Sequence, residues 1–139
     1  AQRLLCRHPE PARLPRHQHR HLRAHQPTGR LLLDSVAEAD ASGIPYFLVG
    51  HVGDGNFHFG YLLDPNVPQE RVTAEALNHK LVARALSMGG TCTGEHGVGV
   101  HKMGFLLDEA GAGAVDMMRA IKRALDPKNI LNPGKIFAL

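Results

Sequence analysis

The chain of 139 residues has no tryptophan, only two cysteines and an aromatic share of 5%. Cys6 and Cys92 are too few for the disulfide framework of a small secreted domain, so we expect a reducing compartment. No apolar run approaches the roughly 20 residues that cross a bilayer, which excludes a transmembrane helix. The length suits one modest domain with its own core.

The net charge of +3 is distributed unevenly along the chain. Residues 1–30 contain seven arginines and one acid, Glu10, whereas the other 109 residues carry 9 basic and 12 acidic groups. A basic surface for nucleic acid would therefore have to lie within the first 30 residues. Because the rest of the chain offers none, we expect no nucleic-acid partner.

Residues 1–30 hold five of the ten histidines and four prolines but no lysine and no serine, and they lack helical or strand periodicity. We expect little stable structure there. A transit peptide fits the arginines but not the missing serines, and a histidine-rich arm for metal or nucleic acid fits the composition. A third interpretation, translation in the wrong reading frame, fits these residues better than the other two. Codons for residues 17–30 can be chosen so that a shift of one base reads Ile-Asn-Thr-Asp-Ile-Cys-Val-Pro-Ile-Ser-Arg-Leu-Ala, an apolar strand followed by a helix start.

From residue 31 the pattern becomes regular, and residues 31–139 are predicted to be the folded domain. Helices are predicted over residues 31–41, 68–88, 103–109 and 114–125, with Gly43, Gly89-Gly90 and Asp126-Pro127 as stops of the first, second and fourth. β-rich runs at residues 44–52 and 57–63 flank the turn sequence Gly53-Asp54-Gly55-Asn56 and predict a hairpin, closed by Asp64-Pro65-Asn66. Residues 130–137 are predicted to be extended. Hairpins and helices without β-α-β alternation indicate an α+β fold, an antiparallel sheet covered by helices.

The first cluster of reactive side chains is Gly-His-Val-Gly-Asp-Gly-Asn-Phe-His at residues 50–58. If the glycine-rich turn reverses the chain, His51 and His58 lie on opposite strands of one hairpin and converge. Two neutral imidazoles placed in this way suit Zn²⁺, Fe²⁺ or Mn²⁺. The alternative is two hairpin histidines with no shared partner.

The second cluster is Gly-Gly-Thr-Cys-Thr-Gly-Glu-His-Gly-Val-Gly at residues 89–99. Glycines let this loop approach a ligand closely, and neighbouring extended residues point to opposite sides. Glu95 is therefore expected to complete a set of two histidines and one glutamate around a metal with an open position, while His96 faces a substrate. The alternative is an exposed turn with two solvated polar residues.

An open metal position of this kind can bind a 2-hydroxycarboxylate through its hydroxyl and carboxylate oxygens and favour the alkoxide. His96 would take the proton. The hydride of the α-carbon then needs an acceptor. The chain supplies none, because no dinucleotide-binding G-x-G-x-x-G opens a helix after a strand.

A third segment, Leu-Asp-Pro-Lys-Asn-Ile-Leu-Asn-Pro-Gly-Lys-Ile-Phe, lies at residues 125–137. The three segments together resemble the C-terminal domain of the FAD-linked oxidases of the vanillyl-alcohol oxidase type, and the likeness runs from about residue 31 to residue 137. The sequence of residues 91–97 resembles the corresponding segment of the cytochrome-linked D-lactate dehydrogenases. The resemblance implies a flavin-dependent dehydrogenase that converts D-lactate or a similar D-2-hydroxyacid to the 2-oxoacid. This chain would be its metal- and substrate-binding part, inactive alone, with FAD bound mainly by a domain that is missing here.

The resemblance also implies roles for individual residues. His51, His58 and Glu95 would bind the divalent metal, Zn²⁺ before Fe²⁺ or Mn²⁺, and His96 would act as the base. Asn56 and Lys102 would contact the substrate, although a solvated surface lysine is the alternative for Lys102. The residues that would approach the flavin are Asn132, Gly134 and Lys135.

The implied partners are a small 2-hydroxyacid, the FAD domain and an electron acceptor. The implied location is the cytoplasm or the periphery of the inner membrane, mitochondrial in a eukaryote. Two other functions stay open. One is a metal- or ligand-binding module of the same fold without catalysis. The other is a histidine- and arginine-rich binder of nucleic acid or metal, which rests on residues 1–30 alone.

Overall fold

The computed structural model describes Leu5–Cys6, Arg20–Arg23 and residues 28–139, with only the backbone of Val52 and of the first two segments. The elements are β1 (Leu5–Cys6), β2 (Arg20–Arg23), α1 (Thr28–Ser42), β3 (Tyr46–His51), a 3₁₀ turn (Val52–Asp54), β4 (Asn56–Tyr61), α2 (Pro68–Ser87) and α3 (Met103–Leu125). The chain divides into two compact units, Ala1–Gly94 and Glu95–Leu139. Three helices and an antiparallel sheet confirm the predicted α+β class.

Helix α1 confirms the helix predicted over residues 31–41 and begins slightly earlier. Its buried positions Leu31, Ser35 and Ala39 are spaced by four residues and form one side of the helix. The Ser35 hydroxyl donates to the Leu31 carbonyl at 2.7 Å, so this buried polar group is satisfied. Gly43 follows the helix with φ 70°, a left-handed conformation that glycine adopts without a side-chain clash.

The predicted hairpin is present, with β3 and β4 paired antiparallel around the 3₁₀ turn. The register sets Val49 opposite His58 and His51 opposite Asn56. Because successive residues of a strand point to opposite faces, the hairpin has an aromatic face and a histidine face. The aromatic face carries Tyr46, Leu48, Phe57, Phe59 and Tyr61, and the histidine face carries Phe47, Val49, His51, Asn56 and His58.

The aromatic face contributes the centre of the core of the first unit. Phe57 is 0%, Phe59 2% and Tyr61 4% exposed. The Phe59 ring stacks on Tyr46 with the ring centroids 5.0 Å apart and lies 5.3 Å from the Tyr61 ring. Burial is the largest cause that raises the pKa of the Tyr61 hydroxyl, which therefore stays protonated.

Two short strands flank the hairpin and give the sheet order β1-β3-β4-β2, with every neighbouring pair antiparallel. Residues 1–30 were expected to hold little stable structure, and within them the structure describes two short strands, Leu5–Cys6 and Arg20–Arg23, and the first turn of α1. Strand pairing uses backbone N–H and C=O groups, which an extended segment offers whatever its side-chain pattern. The rest of that expectation falls on residues 1–27 outside the two strands, which the structure does not describe.

Helix α2 confirms the second predicted helix. Just before it, the Asn66 N–H donates to the Asp64 carboxylate at 2.9 Å, and the Glu70 carboxylate accepts the Asp64 N–H at 2.7 Å. These bonds form the predicted Asp-Pro-Asn turn. The buried residues of α2 are Ala74, Leu77, Asn78, Leu81, Val82 and Ala85. Arg84 connects the two helices, because its guanidinium donates to Glu38 of α1 at 2.8 Å.

The second unit consists of the loop before α3, α3 itself and the tail after it. The two helices predicted in α3 are confirmed, because Gly111 interrupts it with non-helical angles, φ 79° and ψ 161°. The tail, predicted to be extended over residues 130–137, is instead a series of bends. Left-handed φ values occur at Asn132 (46°), Gly134 (71°) and Ile136 (73°). The prediction was wrong because Asn, Pro and Gly favour turns more strongly than the apolar residues between them favour a strand.

Candidate functional site

The histidine face of the hairpin holds three of the predicted site residues. His51 lies opposite Asn56, and His58 follows Asn56 two positions later on the same strand. In an antiparallel pair, Cβ atoms of opposite residues are roughly 4.5–5.5 Å apart, and those of diagonal neighbours about 7–8 Å apart. The two imidazoles are therefore diagonal neighbours on one face of the hairpin.

Strand β4 alternates between core and site residues. Asn56 and His58 are half-buried, whereas Phe57 and Phe59 between and beyond them are 0% and 2% exposed. His51, at the end of β3, is exposed. Because a strand cannot rotate one side chain without its neighbours, the packed phenylalanines fix the direction in which the polar residues point.

Two glycines shape the turn end of this hairpin. A Cβ atom added to Gly50 would lie 2.5 Å from the Asn56 carbonyl oxygen and 2.5 Å from the Phe57 Cα, both backbone atoms. Gly50 therefore allows a close approach of the two strands that a side chain would prevent. Gly55 closes the turn with φ 73°, in the left-handed region.

The second group of predicted site residues lies in the glycine loop, residues 95–99, in which Gly97 and Gly99 have φ values of 72° and 57°. The backbone bends at Glu95 and His96, and His96 Nε2 lies 3.5 Å from Glu95 Oε1. The expectation that these two side chains point to opposite sides is wrong, because it assumed an extended backbone. The side chains of His96 and Glu95 are 59% and 51% exposed, so their contact contributes little stability.

Lys102 directly precedes α3 and is 6% exposed. The alternative of a solvated surface lysine is therefore wrong. A buried ammonium group needs polar or anionic partners to offset the loss of water. Lys102 is thus a buried lysine at the end of the glycine loop, and its contact with the substrate stays a prediction.

The predicted flavin-contacting residues Asn132, Gly134 and Lys135 lie in the exposed tail. Asn132 and Gly134 supply two of its left-handed bends. The structure thus places these residues in the second unit with the glycine loop, and away from regular secondary structure.

Asp126 organises the start of the tail, a role that the sequence interpretation missed. This residue is 5% exposed, and its carboxylate accepts the N–H groups of Ile130 at 3.0 Å and Leu131 at 2.9 Å and an ammonium hydrogen of Lys122. The bond from Lys122, followed by the two backbone bonds, holds the pKa of the carboxyl group below its usual range. The available signal was an aspartate between a helix and a proline, since short acidic side chains accept nearby backbone N–H groups.

One known protein family matches the part of the chain that contains the hairpin and the three helices. Residues 29–136 match the family described as FAD linked oxidases, C-terminal domain. The chain belongs to this family. The match includes the hairpin, the glycine loop and most of the tail, and it confirms the FAD-linked oxidase resemblance that the three motifs predicted.

Several curated relatives of this FAD-linked oxidase domain carry names that describe an activity. The chain is 50% identical over 106 residues to the mitochondrial D-lactate dehydrogenase (cytochrome) of Arabidopsis thaliana, which is 76% of this chain and 19% of the relative. It is 46% identical over 108 residues to D-lactate dehydrogenase (cytochrome) 1, mitochondrial, of Saccharomyces cerevisiae, covering 78% of this chain and 18% of the relative. For the glycolate oxidase subunit GlcD of Bacillus subtilis, the values are 44% over 89 residues, 64% and 19%. The chain thus spans about a fifth of the length of these relatives.

Within the residues that the structure describes, no helix combines the length and the apolar composition needed to cross a bilayer.

Proposed function

We propose that this chain is the metal- and substrate-binding part of a flavin-dependent D-2-hydroxyacid dehydrogenase that oxidises D-lactate to pyruvate. The observation that carries the proposal is the histidine face of the hairpin in a chain of the FAD-linked oxidase family. Relatives named for D-lactate and for glycolate support a 2-hydroxycarboxylate as the substrate, since both compounds belong to that class.

In this proposal His51, His58 and Glu95 hold a divalent cation, Zn²⁺ in the first place and Fe²⁺ or Mn²⁺ as alternatives. The placement of both imidazoles on one face of the hairpin supports the assignment, as does the exposed carboxylate of Glu95. Imidazole nitrogens and carboxylate oxygens are ligands that these cations accept, and three protein ligands leave one position open. A bound cation supplies positive charge that lowers the pKa of the substrate hydroxyl.

Three further residues are proposed to act on the substrate. His96, whose imidazole is largely exposed in the glycine loop, accepts the hydroxyl proton while the α-carbon loses its hydrogen with two electrons. The carbon–oxygen single bond thereby becomes the carbonyl of the 2-oxoacid. Asn56 orients the substrate through its amide, and Lys102 offers its buried ammonium group to the substrate carboxylate.

Bound FAD would supply the acceptor for the hydride, and a further electron acceptor would be needed to take up the electrons. We propose that FAD is bound mainly by a polypeptide domain outside this chain, because the chain spans about a fifth of its relatives. Asn132, Gly134 and Lys135 of the exposed tail are proposed to approach the flavin.

The α3 stripe, formed by Met117, Ile121 and Leu125, supports such a polypeptide partner. These residues follow one another at intervals of four along α3 and are 67%, 54% and 78% exposed. Ile130 and Leu131, just after the helix, are 70% and 61% exposed. Grouped apolar residues at a surface mark places where another polypeptide packs. We therefore assign the α3 stripe to contact with the FAD domain.

We also propose a location for the protein and an organisation for the chain. Relatives named as mitochondrial support a mitochondrial site in a eukaryote, with the cytoplasm or the inner-membrane periphery otherwise. Residues 31–139 are proposed to form the oxidase domain, and residues 1–30 to be translated out of frame. Reading the coding DNA across and upstream of codons 1–31 tests the second point, because an open FAD domain must then appear in the other frame.

A metal-binding series tests the ligand assignment. In the full chain, His51→Ala, His58→Ala and Glu95→Ala should each weaken Zn²⁺ binding by at least about tenfold in calorimetric titrations. Even the loss of a residue that only hydrogen-bonds to a metal ligand lowers metal affinity by about that factor. His96→Ala should retain the affinity, because His96 is assigned to the substrate. His79→Ala, at an exposed position of α2, controls for the loss of an unrelated histidine. Equal weakening by all four site substitutions would contradict the separation of roles.

Turnover measurements separate catalysis from binding. The isolated chain should not oxidise D-lactate with an artificial electron acceptor, because it lacks the proposed FAD domain. The flavoprotein that contains the chain should do so, and His96→Ala should abolish its turnover. Turnover by the isolated chain would refute the proposal that a separate domain binds FAD. Zn²⁺ binding in a flavoprotein that oxidises no 2-hydroxyacid would favour a binding module without catalysis.

A further inference from the structure

The last turn of the tail is built on a residue that rarely adopts its conformation. Ile136 has φ 73°, a left-handed value at which a β-branched side chain crowds its own backbone. The Phe137 N–H donates to the Lys135 carbonyl at 2.9 Å, so residues 135–137 form a γ-turn of the strained type. Ile136 is 44% exposed, so burial of its side chain does not account for the conformation.

The strained turn directs one backbone donor at the glycine loop. The Ile136 N–H donates to the Gly99 carbonyl at 2.7 Å. Gly99 and Gly97 both have left-handed φ values, so the loop could adopt many other conformations without this bond. Strain persists where surrounding bonds over-determine a conformation, and it concentrates at functional sites.

The tail is anchored on both sides of the turn. Before it, the Asp126 carboxylate holds the backbone N–H groups of Ile130 and Leu131. After it, Arg119 Nε of α3 donates to the Ala138 carbonyl at 2.6 Å. Because both ends of the tail are fixed to the region of α3, the turn at residue 136 is held in place beside Gly99.

We propose that residues 135–137 are a clamp that positions the glycine loop and, through it, His96 and Glu95. Ile136 acts through the loop, so it is a positioning residue and does not touch the substrate. The functional meaning of the clamp rests on the proposed roles of His96 and Glu95. The contacts that form it all lie within the second unit.

Two substitutions of Ile136 separate the backbone bond from the side chain. Ile136→Pro removes the N–H and cannot adopt a positive φ. Ile136→Gly keeps the N–H and adopts φ 73° without strain, so it serves as the conservative rescue. NMR hydrogen exchange of the amides of residues 96–100, with the thermal midpoint as a check on folding, is the measurement.

The clamp predicts that exchange in the loop accelerates roughly two- to tenfold in Ile136→Pro, as expected for one lost hydrogen bond. Ile136→Gly should stay within about twofold of the parent chain. Equal acceleration in both variants would assign the effect to the side chain and overturn the proposal. No acceleration in a folded Ile136→Pro variant would overturn it too.

A pair of shortened chains keeps the test decisive if the proline variant does not fold. One chain ends at Lys135 and the other at Phe137, so only the first lacks the Ile136 N–H, while both lose the contact of Arg119 with Ala138. Faster loop exchange in the shorter chain alone supports the clamp. The same exchange in both chains overturns it.

Zn²⁺ titration of the Ile136 variants connects the clamp to the site. Ile136→Pro should weaken Zn²⁺ binding, and Ile136→Gly should leave it unchanged. Equal Zn²⁺ affinity in the two variants would overturn the positioning role. If the parent chain binds no Zn²⁺, the proposed metal site fails, and the exchange rates alone decide whether the clamp exists.

Discussion

The two units of the chain are stabilised in different ways. Among the residues whose side chains are described, thirteen of the fifteen buried apolar residues lie in the first unit, and only Phe105 and Val115 lie in the second. Of the twelve large apolar residues that are exposed in the same part of the chain, nine lie in the second unit. Because burial of apolar area drives folding, the first unit has a core of its own and the second has little of one.

The second unit relies on charged side chains that bind the backbone. Lys122 donates to the Leu131 carbonyl and to Asp126, and Arg119 donates to the Ala138 carbonyl. Ionic groups respond to pH and salt, whereas a packed core responds mainly to changes of volume. The histidine face and the glycine loop should therefore lose their structure under different perturbations, although both belong to the proposed site.

Removal of a core ring should produce the largest loss of stability. Phe57→Ala, at a position that is 0% exposed, should lower the free energy of unfolding by about 3–5 kcal/mol through lost burial and a cavity. Leu125→Ala, at a position that is 78% exposed in the second unit, should change it by no more than about 0.5 kcal/mol. Urea denaturation followed by circular dichroism measures both. Similar losses would show that the two units do not differ as described.

A methyl group at the narrow point of the hairpin should produce the second-largest loss. Gly50→Ala places a Cβ atom 2.5 Å from two backbone atoms, so the strands must separate at a cost of about 1–3 kcal/mol. The added Cβ atom of Gly53→Ala meets nothing within 4 Å, so this variant of the neighbouring turn is the matched control. Urea denaturation should distinguish the two variants, and Zn²⁺ titration should show weaker binding for Gly50→Ala alone. A Gly50→Ala chain as stable as its control would disprove the close approach.

Acid should weaken the second unit through Asp126. The bond from Lys122 lowers the pKa of the folded-state carboxyl group, so the folded state favours the carboxylate more than the unfolded chain does. The resulting stabilisation is complete above the unfolded pKa of about 4 and is lost as the pH falls through the lower folded value. Asp126→Asn should be less stable at neutral pH and lose less below about pH 4. The measurement is urea denaturation at a series of pH values, monitored through the NMR amide signals of the tail. An equal loss of stability in acid by the parent chain and the variant would contradict the role of Asp126.

A charge in the α3 stripe should produce the smallest change in stability. Ile121→Glu, at a position that is 54% exposed, should alter the free energy of unfolding by no more than about 0.5 kcal/mol and yet reduce the binding of an apolar fluorescent dye. Val72→Glu adds the same charge to α2 in the first unit at a position that is 57% exposed. Dye binding that falls equally in both variants would mean that the α3 stripe is not a special surface.

The first unit was predictable from the sequence because its signals are local. Apolar residues at helical spacing located α1 and α2, and Gly43 supplied a stop of the expected kind. The Gly-Asp-Gly-Asn turn located the hairpin, and once the turn is set, the period of two along a strand places His51 and His58 on one face.

The second unit was less predictable because its shape depends on bonds between distant residues. Isoleucine is enriched in strands, and nothing beside Ile136 in the sequence shows that its N–H donates to the Gly99 carbonyl. The burial of Lys102 likewise cannot be inferred from its neighbours, since lysine is normally exposed. Backbone pairing in Arg20–Arg23 was missed for a related reason, because β4 supplies the partner groups.

The alternation of core and site residues along β4 restricts how the gene can change in length. A deletion or insertion of one residue within residues 57–59 would exchange the faces, moving a histidine into the core and a phenylalanine to the surface. The 3₁₀ turn, Val52–Asp54, interrupts the alternation, so extra residues can be accommodated there without exchanging the faces. A change of length is therefore expected to harm the fold more within the two strands than within the turn.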